Sequence, residues 1–99
     1  MSREQTLTEF VHAVRSDYYQ HRDQLKRRAQ DVLGRRAVVV SVSLTGSYAT
    51  GSRKAPREES DVDLLVRYKG AIEPDRVAAR LYEKLTGMGG TYDIVPVRV

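Results

Sequence analysis

A long amphipathic helix is predicted at the start of the chain. Apolar residues recur at spacings of three and four through residues 6–33, which is the period of a helix with one buried face. Thr6 or Thr8 can cap its start, and Gly34 stands where a helix often ends in a left-handed residue. The opposite face is rich in Arg, Lys, Gln and Asp, so this face is expected to be solvated.

Three segments have the pattern of strands. Residues 36–45, RAVVVSVSLT, are rich in β-branched residues and predict a first strand that is buried along Val38 to Val40. Residues 61–68, DVDLLVRY, predict a second strand. Residues 91–99, TYDIVPVRV, predict a last strand, and Pro96 places it at the edge of the sheet.

A second helix is predicted between the last two strands. It begins near Pro74, because proline is favoured at the first helical position. The glycine cluster at residues 87–90 is expected to end it. Its predicted buried stripe consists of Val77, Ala78, Leu81, Tyr82 and Leu85.

The connections predict which chain segments meet. Two strands joined by a helix are expected to run parallel with a right-handed crossover, which brings their starts side by side. Asp61 and Asp63 open one of these strands, and Asp93 lies near the start of the other. If the first strand is antiparallel to the second, then its end, with Gly46 and Ser47, reaches the same place.

Asp61 and Asp63 form a D-x-D pair at a predicted strand start. Successive side chains of a strand alternate between faces, so these two carboxylates point the same way with Cα atoms roughly 6.6 Å apart. Carboxylates this close repel each other unless a cation lies between them. Mg²⁺ prefers oxygen ligands and completes its shell with water and phosphates, so the pair suits a phosphoryl or nucleotidyl transfer site. A D-x-D pair is also common where an Asp only ends a loop.

The segment between the first two strands offers groups that could bind phosphate. In 45-TGSYATGS-52, glycines permit close backbone approach, and amides and hydroxyls such as that of Ser52 can face an anion. Arg53 and its basic neighbours Lys54 and Arg57 can steer a triphosphate. A solvated Gly/Ser loop with exposed charges is the alternative interpretation.

Composition bounds the class of protein. The chain has 99 residues, a formal net charge of +4, a pI near 9.6 and no cysteine. This length predicts one domain over residues 1–99, made of the N-terminal helix at 6–33 and a core at 36–99. The positive charge favours anionic ligands such as nucleotides, RNA or an acidic partner face. The absence of a signal peptide or a membrane span in the sequence indicates a cytoplasmic location.

The motifs together resemble a known superfamily. Gly46-Ser47, thirteen intervening residues and then Asp61-Val62-Asp63 are similar to the GS and D-x-D signature of polymerase-β-like nucleotidyltransferases. The sequence S-D-V-D-L-L-V and the later Y-D-I-V strand most resemble the minimal nucleotidyltransferase, or MNT, family. The pattern spans residues 36–99, and the N-terminal helix is consistent with it.

The resemblance implies a fold and a chemistry. The fold is α/β (α+β), of order α-β-α-β-α-β, with a small mixed sheet flanked by helices. Two Mg²⁺ ions assist transfer of a nucleoside monophosphate from a nucleoside triphosphate, here ATP, to a hydroxyl. By position, Asp61, Asp63 and Asp93 would bind the metals and act in catalysis. Gly46, Ser47, Ser52 and Arg53 would hold the triphosphate.

The resemblance also implies a partner. Many MNT proteins act as antitoxins of a HEPN ribonuclease toxin, either by adenylylating a toxin tyrosine or by masking the toxin in a complex. This predicts a hetero-oligomer with a HEPN-like protein, with no membrane association. Tyr48 and Thr50 stand where family members commonly have arginines, so a phosphate contact is either missing or supplied by Arg53 or Arg57.

Other functions compete with this one. A non-catalytic antitoxin would keep the fold without the chemistry, and a small-molecule nucleotidyltransferase would use the same site on another acceptor. A small basic RNA-binding domain is a third alternative. Direct binding of nucleic acid is disfavoured because the seven aromatic residues do not alternate with basic residues on a strand, as stacking platforms require.

Overall fold

A computed structural model of the protein describes residues 3–46 and 62–99, with side chains from residue 9 onward. The first helix, α1, spans Arg3–Leu33 and passes through a 3-10 turn at Gly34–Arg36 into strand β1, Ala37–Thr45. Strand β2 is Asp63–Gly70, and helix α2 is Pro74–Leu81. The short strands β3, Thr86–Gly87, and β4, Gly90–Thr91, precede strand β5, Asp93–Arg98.

The main sheet is mixed, as the sequence predicts. Its order is β1-β2-β5, with β1 antiparallel to β2 and β2 parallel to β5. Because β5 lies at the edge, the predicted edge position of Pro96 is confirmed. A bulge between Val39 and Ser41 interrupts the β1–β2 register. The helices and the small mixed sheet form the predicted α/β (α+β) fold. The helix expected between the first two strands lies outside the described residues.

Helix α1 confirms the predicted amphipathic helix and ends where it was expected. Gly34 adopts φ +61° directly after Leu33. The predicted start is wrong, because the helix begins at Arg3, before both Thr6 and Thr8. Neither threonine is therefore its N-terminal cap. The length of α1 lets a single helix cover most of one sheet face.

The core lies between one face of the sheet and the two helices. Leu64, Val66 and Tyr68 point from β2 into this core and are fully buried. The alternate positions of β2 point away from the helices, as strand geometry requires. The other core residues come from both helices, from the strands of the main sheet and from the segments that flank them: Val11, Val14, Tyr18, Leu25, Ala29, Leu33, Ala37, Val39, Val42, Val62, Val77, Leu81, Leu85, Tyr92 and Ile94.

The predicted burial of β1 along Val38 to Val40 is wrong for two of its three residues. Val39 is buried, whereas Val38 is exposed on the face that lacks helices and Val40 is exposed at the bulge. Three β-branched residues in a row predict a strand that is buried on both faces. Among the described residues, however, only one face of the sheet is covered by helices.

Helix α2 starts as predicted but ends early. Pro74 occupies its first turn, and the carbonyl of Glu73 accepts the amides of Arg76 and Val77 at 3.0 and 3.1 Å. The helix ends at Leu81 because the chain turns through Glu83, which has φ +65°. Tyr82 is consequently exposed, contrary to the predicted stripe, while Val77, Leu81 and Leu85 are buried. Ala78 is partly buried against the core.

The glycine cluster forms a tight hairpin. Gly87 pairs with Gly90, and Thr86 pairs with Thr91, so the segment predicted only to end a helix also builds β3 and β4. Helix α1 holds this hairpin: Asp17 Oδ2 accepts the Met88 amide at 2.8 Å. The hairpin thus sets where β5 begins. No helix in the described part of the chain is long and apolar enough to cross a membrane.

Candidate active site

Two of the predicted carboxylates lie side by side at one end of the sheet. Asp63 and Asp93 open β2 and β5 and are direct register partners in the parallel pair. The Asp93 amide donates to the Val62 carbonyl at 2.9 Å, which fixes this register. Neighbouring strands lie about 4.8 Å apart, so the two carboxylates leave adjacent backbones in the same direction. The predicted convergence of Asp63 and Asp93 is confirmed.

Gly46 lies against one of these carboxylates. It adopts φ +73°, and a Cβ atom placed on it would lie 2.9 Å from Asp63 Oδ2. Any side chain here would have to displace the Asp63 carboxylate and would also strain the backbone. Thr45, the register partner of Asp63 on β1, brings the end of β1 to this position. The structure therefore places Gly46, the glycine of the GS pair, in contact with Asp63, the second aspartate of the D-x-D pair.

The two carboxylates differ in exposure but share one face of the sheet. Asp93 is exposed and Asp63 is partly buried. Strand alternation places both on the side opposite Leu64 and Ile94, which are buried in the core. Both carboxylates are therefore directed toward the side from which a substrate can approach without displacing a helix.

The donor set fits a hard divalent cation. Oxygen ligands from one or two carboxylates, with the rest of the shell from water and phosphate, are what Mg²⁺ takes from proteins. Asp63 and Asp93 supply such oxygens from adjacent strands, and the missing Cβ of Gly46 leaves room beside Asp63. Within residues 9–46 and 62–99, no group of three or more potential ligands is assembled. The third predicted carboxylate, Asp61, lies outside the described residues.

The remaining predicted binding residues also lie outside them. Ser47, Ser52 and Arg53, expected to hold the triphosphate, belong to the stretch 47–61. Tyr48 and Thr50, the departures from the family pattern, lie there as well. Their assigned roles stay predictions.

A buried polar cluster supports the start of β5 from the core side. Tyr92 precedes Asp93, points toward α1 and is buried, and its amide donates to the Leu85 carbonyl at 3.1 Å. Burial, with the nearby Asp17 carboxylate as a further cause, raises the pKa of Tyr92 to about 12. A Cβ on Gly87 would lie 2.5 Å from the Tyr92 hydroxyl oxygen, so glycine is required for this close packing. The cluster holds Asp93 in place from behind.

A cleft of about 330 Å³ lies beside this cluster, between α1 and the hairpin. Its walls include His21 and Arg28 from α1, and Lys84 and Thr86 from the segment after α2. Arg28 Nε donates to the Lys84 carbonyl at 2.8 Å, and Asp17 Oδ1 lies 3.1 Å from His21 Nδ1. The Arg28 hydrogen bond attaches the segment after α2 to α1, whereas the Asp17–His21 contact lies within α1. The cleft is therefore interpreted as part of the structural support of β5, on the side of the sheet opposite Asp63 and Asp93.

The sequence analysis did not identify the exposed valines beside the carboxylates. They lie on the open face, which is the face of the sheet opposite α1 and α2. Val95 and Val97 occupy outward positions of β5 that follow Asp93, and both are exposed. The alternation in D-I-V-P-V-R-V was available as a signal, because Asp93, Val95 and Val97 share one face of any regular strand. It could not be used without knowing that this face carries no helix in the described structure.

Together, the parallel strand pair with carboxylates at its start and the glycine turn beside them define a domain of the kind that transfers nucleotides. Comparison with protein families agrees: residues 19–97 match the nucleotidyltransferase domain. The chain belongs to this nucleotidyltransferase domain family, within the polymerase-β-like superfamily. The matched range includes the C-terminal half of α1, the strands β1 and β2, and all but the last residue of β5. Searches of curated proteins and of solved structures found no match.

Proposed function

We propose that this protein is a Mg²⁺-dependent nucleotidyltransferase that moves AMP from ATP to a hydroxyl of a protein partner. The observation that carries the proposal is the triad of Gly46, Asp63 and Asp93 at one end of the sheet. Membership of the nucleotidyltransferase domain family supports the reaction class. The donor, the acceptor and the biological role are proposals of this article.

The proposed site residues have three roles: binding of metal ions, binding of the triphosphate and removal of a proton from the acceptor. Asp61, Asp63 and Asp93 would hold two Mg²⁺ ions, which when bound would neutralise the phosphates and stabilise the attacking and leaving oxygens. Gly46 and Ser47 would approach the triphosphate closely, and Ser52 and Arg53 would contribute further contacts to it. Asp93, the more exposed carboxylate of the described pair, receives the proton of the acceptor hydroxyl.

The balance of the reaction follows. The acceptor oxygen forms a bond to the α-phosphorus, and the bond from that phosphorus to the bridging oxygen of the β-phosphate breaks. Pyrophosphate leaves with the bonding electrons, and the acceptor proton passes through Asp93 to solvent. The product is a phosphodiester between AMP and the acceptor oxygen.

A protein acceptor is proposed from the sequence resemblance. The resemblance of the Asp61 to Val66 segment and of the Y-D-I-V strand to MNT proteins supports a HEPN-like ribonuclease toxin as acceptor. In that role the protein is an antitoxin that adenylylates a tyrosine of the toxin, in a hetero-oligomer.

The test is intact-mass analysis of a co-encoded partner protein after incubation with this protein, Mg²⁺ and ATP. GTP, CTP and UTP are run in parallel to identify the donor. A gain of one or more AMP groups on the partner, absent with Asp63→Asn, is the expected result. A stable complex without any mass change would contradict transfer and favour neutralisation by binding alone. The matched control is Asp75→Asn, which removes an exposed carboxylate from α2.

A further inference from the structure

The open face of the sheet carries an apolar patch that runs directly from the candidate site. Its outward positions form rows that follow the register from the carboxylate end. The first row is Thr45, Asp63 and Asp93; the second is Ser43, Leu65 and Val95; the third is Ser41 at the bulge, Arg67 and Val97; the fourth is Val38, Lys69 and Val99. Successive rows are about 6.6 Å apart along the strands, so the patch begins beside the carboxylates.

The residue types on this face are unusual for a strand surface exposed to water. A sheet with one solvated face normally alternates apolar inward residues with polar outward ones. Here three outward positions are apolar instead: Val38 is 63% exposed, and Val95 and Val97 are 37% and 38% exposed. Val40 and Val99 are exposed as well. Val95 and Val97 are neighbours on one face of β5, beside the partly buried Leu65 of β2. Val38 on β1 lies across from Lys69. Exposed apolar residues grouped on one face in this way are typical of a surface that contacts a partner.

The charges on the same face are segregated. The carboxylates of Asp63 and Asp93 occupy one end, and the exposed cations of Arg67 and Lys69 follow on the central strand β2. A partner that covers the valines also contacts these cations, which lie on β2 between the valines of β1 and those of β5. Charge complementarity therefore requires that the partner carry acidic groups next to its apolar segment.

Access to the site connects this patch to the acceptor. Asp63 and Asp93 point to the open face, so a hydroxyl that reaches them approaches from that side of the sheet. The rest of the acceptor molecule then lies over the second and third rows, which include Leu65, Val95 and Val97. An RNA acceptor would need stacking side chains and more phosphate contacts, whereas the twelve outward positions include no aromatic residue and only two cations.

We infer that the valine and leucine patch around Val38, Leu65, Val95 and Val97, with Arg67 and Lys69, is the docking surface for the protein acceptor, which binds it through an apolar segment flanked by acidic residues. The inference rests on the proposed function and names the surface by which that function selects its substrate. A second copy of this chain over the same face would cover Asp63 and Asp93 and exclude the acceptor. Docking here positions the acceptor hydroxyl and does not contribute to ATP binding.

The test measures transfer and docking separately. The protein is incubated with Mg²⁺, α-³²P-labelled ATP and the soluble proteins of its source cells, and labelled acceptor protein is identified by mass spectrometry. Kinetics are then measured with that purified acceptor. For Val97→Glu, and separately for Arg67→Glu with Lys69→Glu, the KM for the acceptor should rise at least about tenfold, equivalent to about 1.4 kcal/mol. The KM for ATP should stay within about twofold of the wild-type value, a much smaller change than the tenfold rise in the KM for the acceptor.

The matched controls are Tyr82→Glu and Arg80→Glu, which alter an exposed ring and an exposed cation on the helix side. Both should leave the acceptor KM unchanged. Because the charge-reversal pair alters fully exposed side chains, it tests docking even if Val97→Glu fails to fold. A photo-crosslinking residue at position 97 should trap the same protein that carries the label, and one at position 82 should not.

The contrary outcomes are distinguishable. Unchanged acceptor kinetics in both patch variants overturn the docking surface and leave the proposed transferase intact. Label in an RNase-sensitive product, or only on this chain in a dimer-dependent manner, overturns the protein partner while nucleotidyl transfer stands. An absence of any labelled product with wild-type protein overturns the proposed function and the docking surface together.

Discussion

Gln30 substitutes for a neighbouring strand at the free edge of β1. Its side-chain Oε1 accepts the Val39 amide at 2.8 Å, and its Nε2 donates to the Ala37 carbonyl at 2.8 Å. The same Nε2 lies 2.9 Å from the Gly34 carbonyl. An edge strand otherwise presents unpaired amides and carbonyls to water or to another chain. Helix α1 therefore supplies hydrogen bonds to β1 as well as apolar contacts.

The first prediction concerns this pairing. Gln30→Leu should lower the free energy of unfolding by about 2 to 3 kcal/mol, because each lost hydrogen bond contributes about 1 kcal/mol and polar groups lose their partners. Urea unfolding measures the change, and the Val39 amide should exchange with solvent faster than in wild type. Gln20→Leu, at an exposed position of α1, is the control. Equal stability of the two variants would show that the edge hydrogen bonds contribute little.

The second prediction compares two glycines with the same backbone strain. Gly46 and Gly34 have φ +73° and +61°, so alanine at either should cost about 1 to 2 kcal/mol. Only at Gly46 does the new Cβ meet Asp63 Oδ2, whereas at Gly34 nothing lies within 4 Å. Gly46→Ala should therefore abolish nucleotidyl transfer, and Gly34→Ala should preserve it. Similar activity in both variants, measured with labelled ATP, would contradict a role for the Gly46 contact.

The third prediction concerns the metal. Mg²⁺ with a non-hydrolysable ATP analogue should stabilise the wild-type protein, by about 2.7 kcal/mol when the free complex is at 100 times its Kd. Asp63→Asn and Asp93→Asn should each weaken this binding at least about 100-fold, since each replaces a charged carboxylate that is proposed to bind the metal with a neutral amide. Thermal unfolding with and without Mg²⁺ measures the effect independently of activity. Asp75→Asn should retain the full stabilisation, and its loss there would indicate nonspecific ion binding.

The fourth prediction concerns alkaline stability. Burial raises the pKa of Tyr92 from 10.0 to about 12, so the folded state keeps a proton that the unfolded state releases first. The resulting stabilisation is complete below pH 10 and is lost as pH rises through about 12. Burial likewise raises the pKa of Tyr18 and of Tyr68.

Replacing one hydroxyl tests this dependence. Tyr92→Phe should lose stability less steeply than wild type between pH 10 and about 12, because one fewer buried phenol must ionise. Urea unfolding at several pH values provides the measurement. Tyr82→Phe alters an exposed ring and should follow the wild-type curve. A Tyr92→Phe curve parallel to wild type would show that this phenol does not titrate differently on unfolding.

Much of the architecture follows from local sequence rules. The period of α1, the β-branched run of β1 and Pro74 at the start of α2 each depend on neighbouring residues only, and each prediction is confirmed. The parallel pairing of β2 with β5 follows from the helix between them, since a crossover connection leaves few other arrangements. The adjacency of Asp63 and Asp93 is a consequence of that pairing.

Other features depend on contacts between distant segments. The exposure of Val38 follows from which sheet face the helices cover, and that of Val40 from its place at the bulge, whereas β-branched residues suit either face of a strand. Helix α2 ends at Leu81 because Leu85 is instead held by Tyr92, and the glycines form a hairpin that Asp17 holds from α1. No local pattern could predict these pairings.

The sequence by itself determined α1, α2, the three strands of the main sheet and the carboxylates near the starts of two of them, because hydrophobic periodicity and the crossover rule act over short stretches of chain. Only the tertiary structure decided that Gly46 lies against Asp63, that Gln30 pairs with the edge of β1, and that a valine face stays open beside the site. These depend on strand register and on the side of the sheet that the helices occupy. Both are set by packing of the whole core, to which each residue contributes only a small part of the free energy.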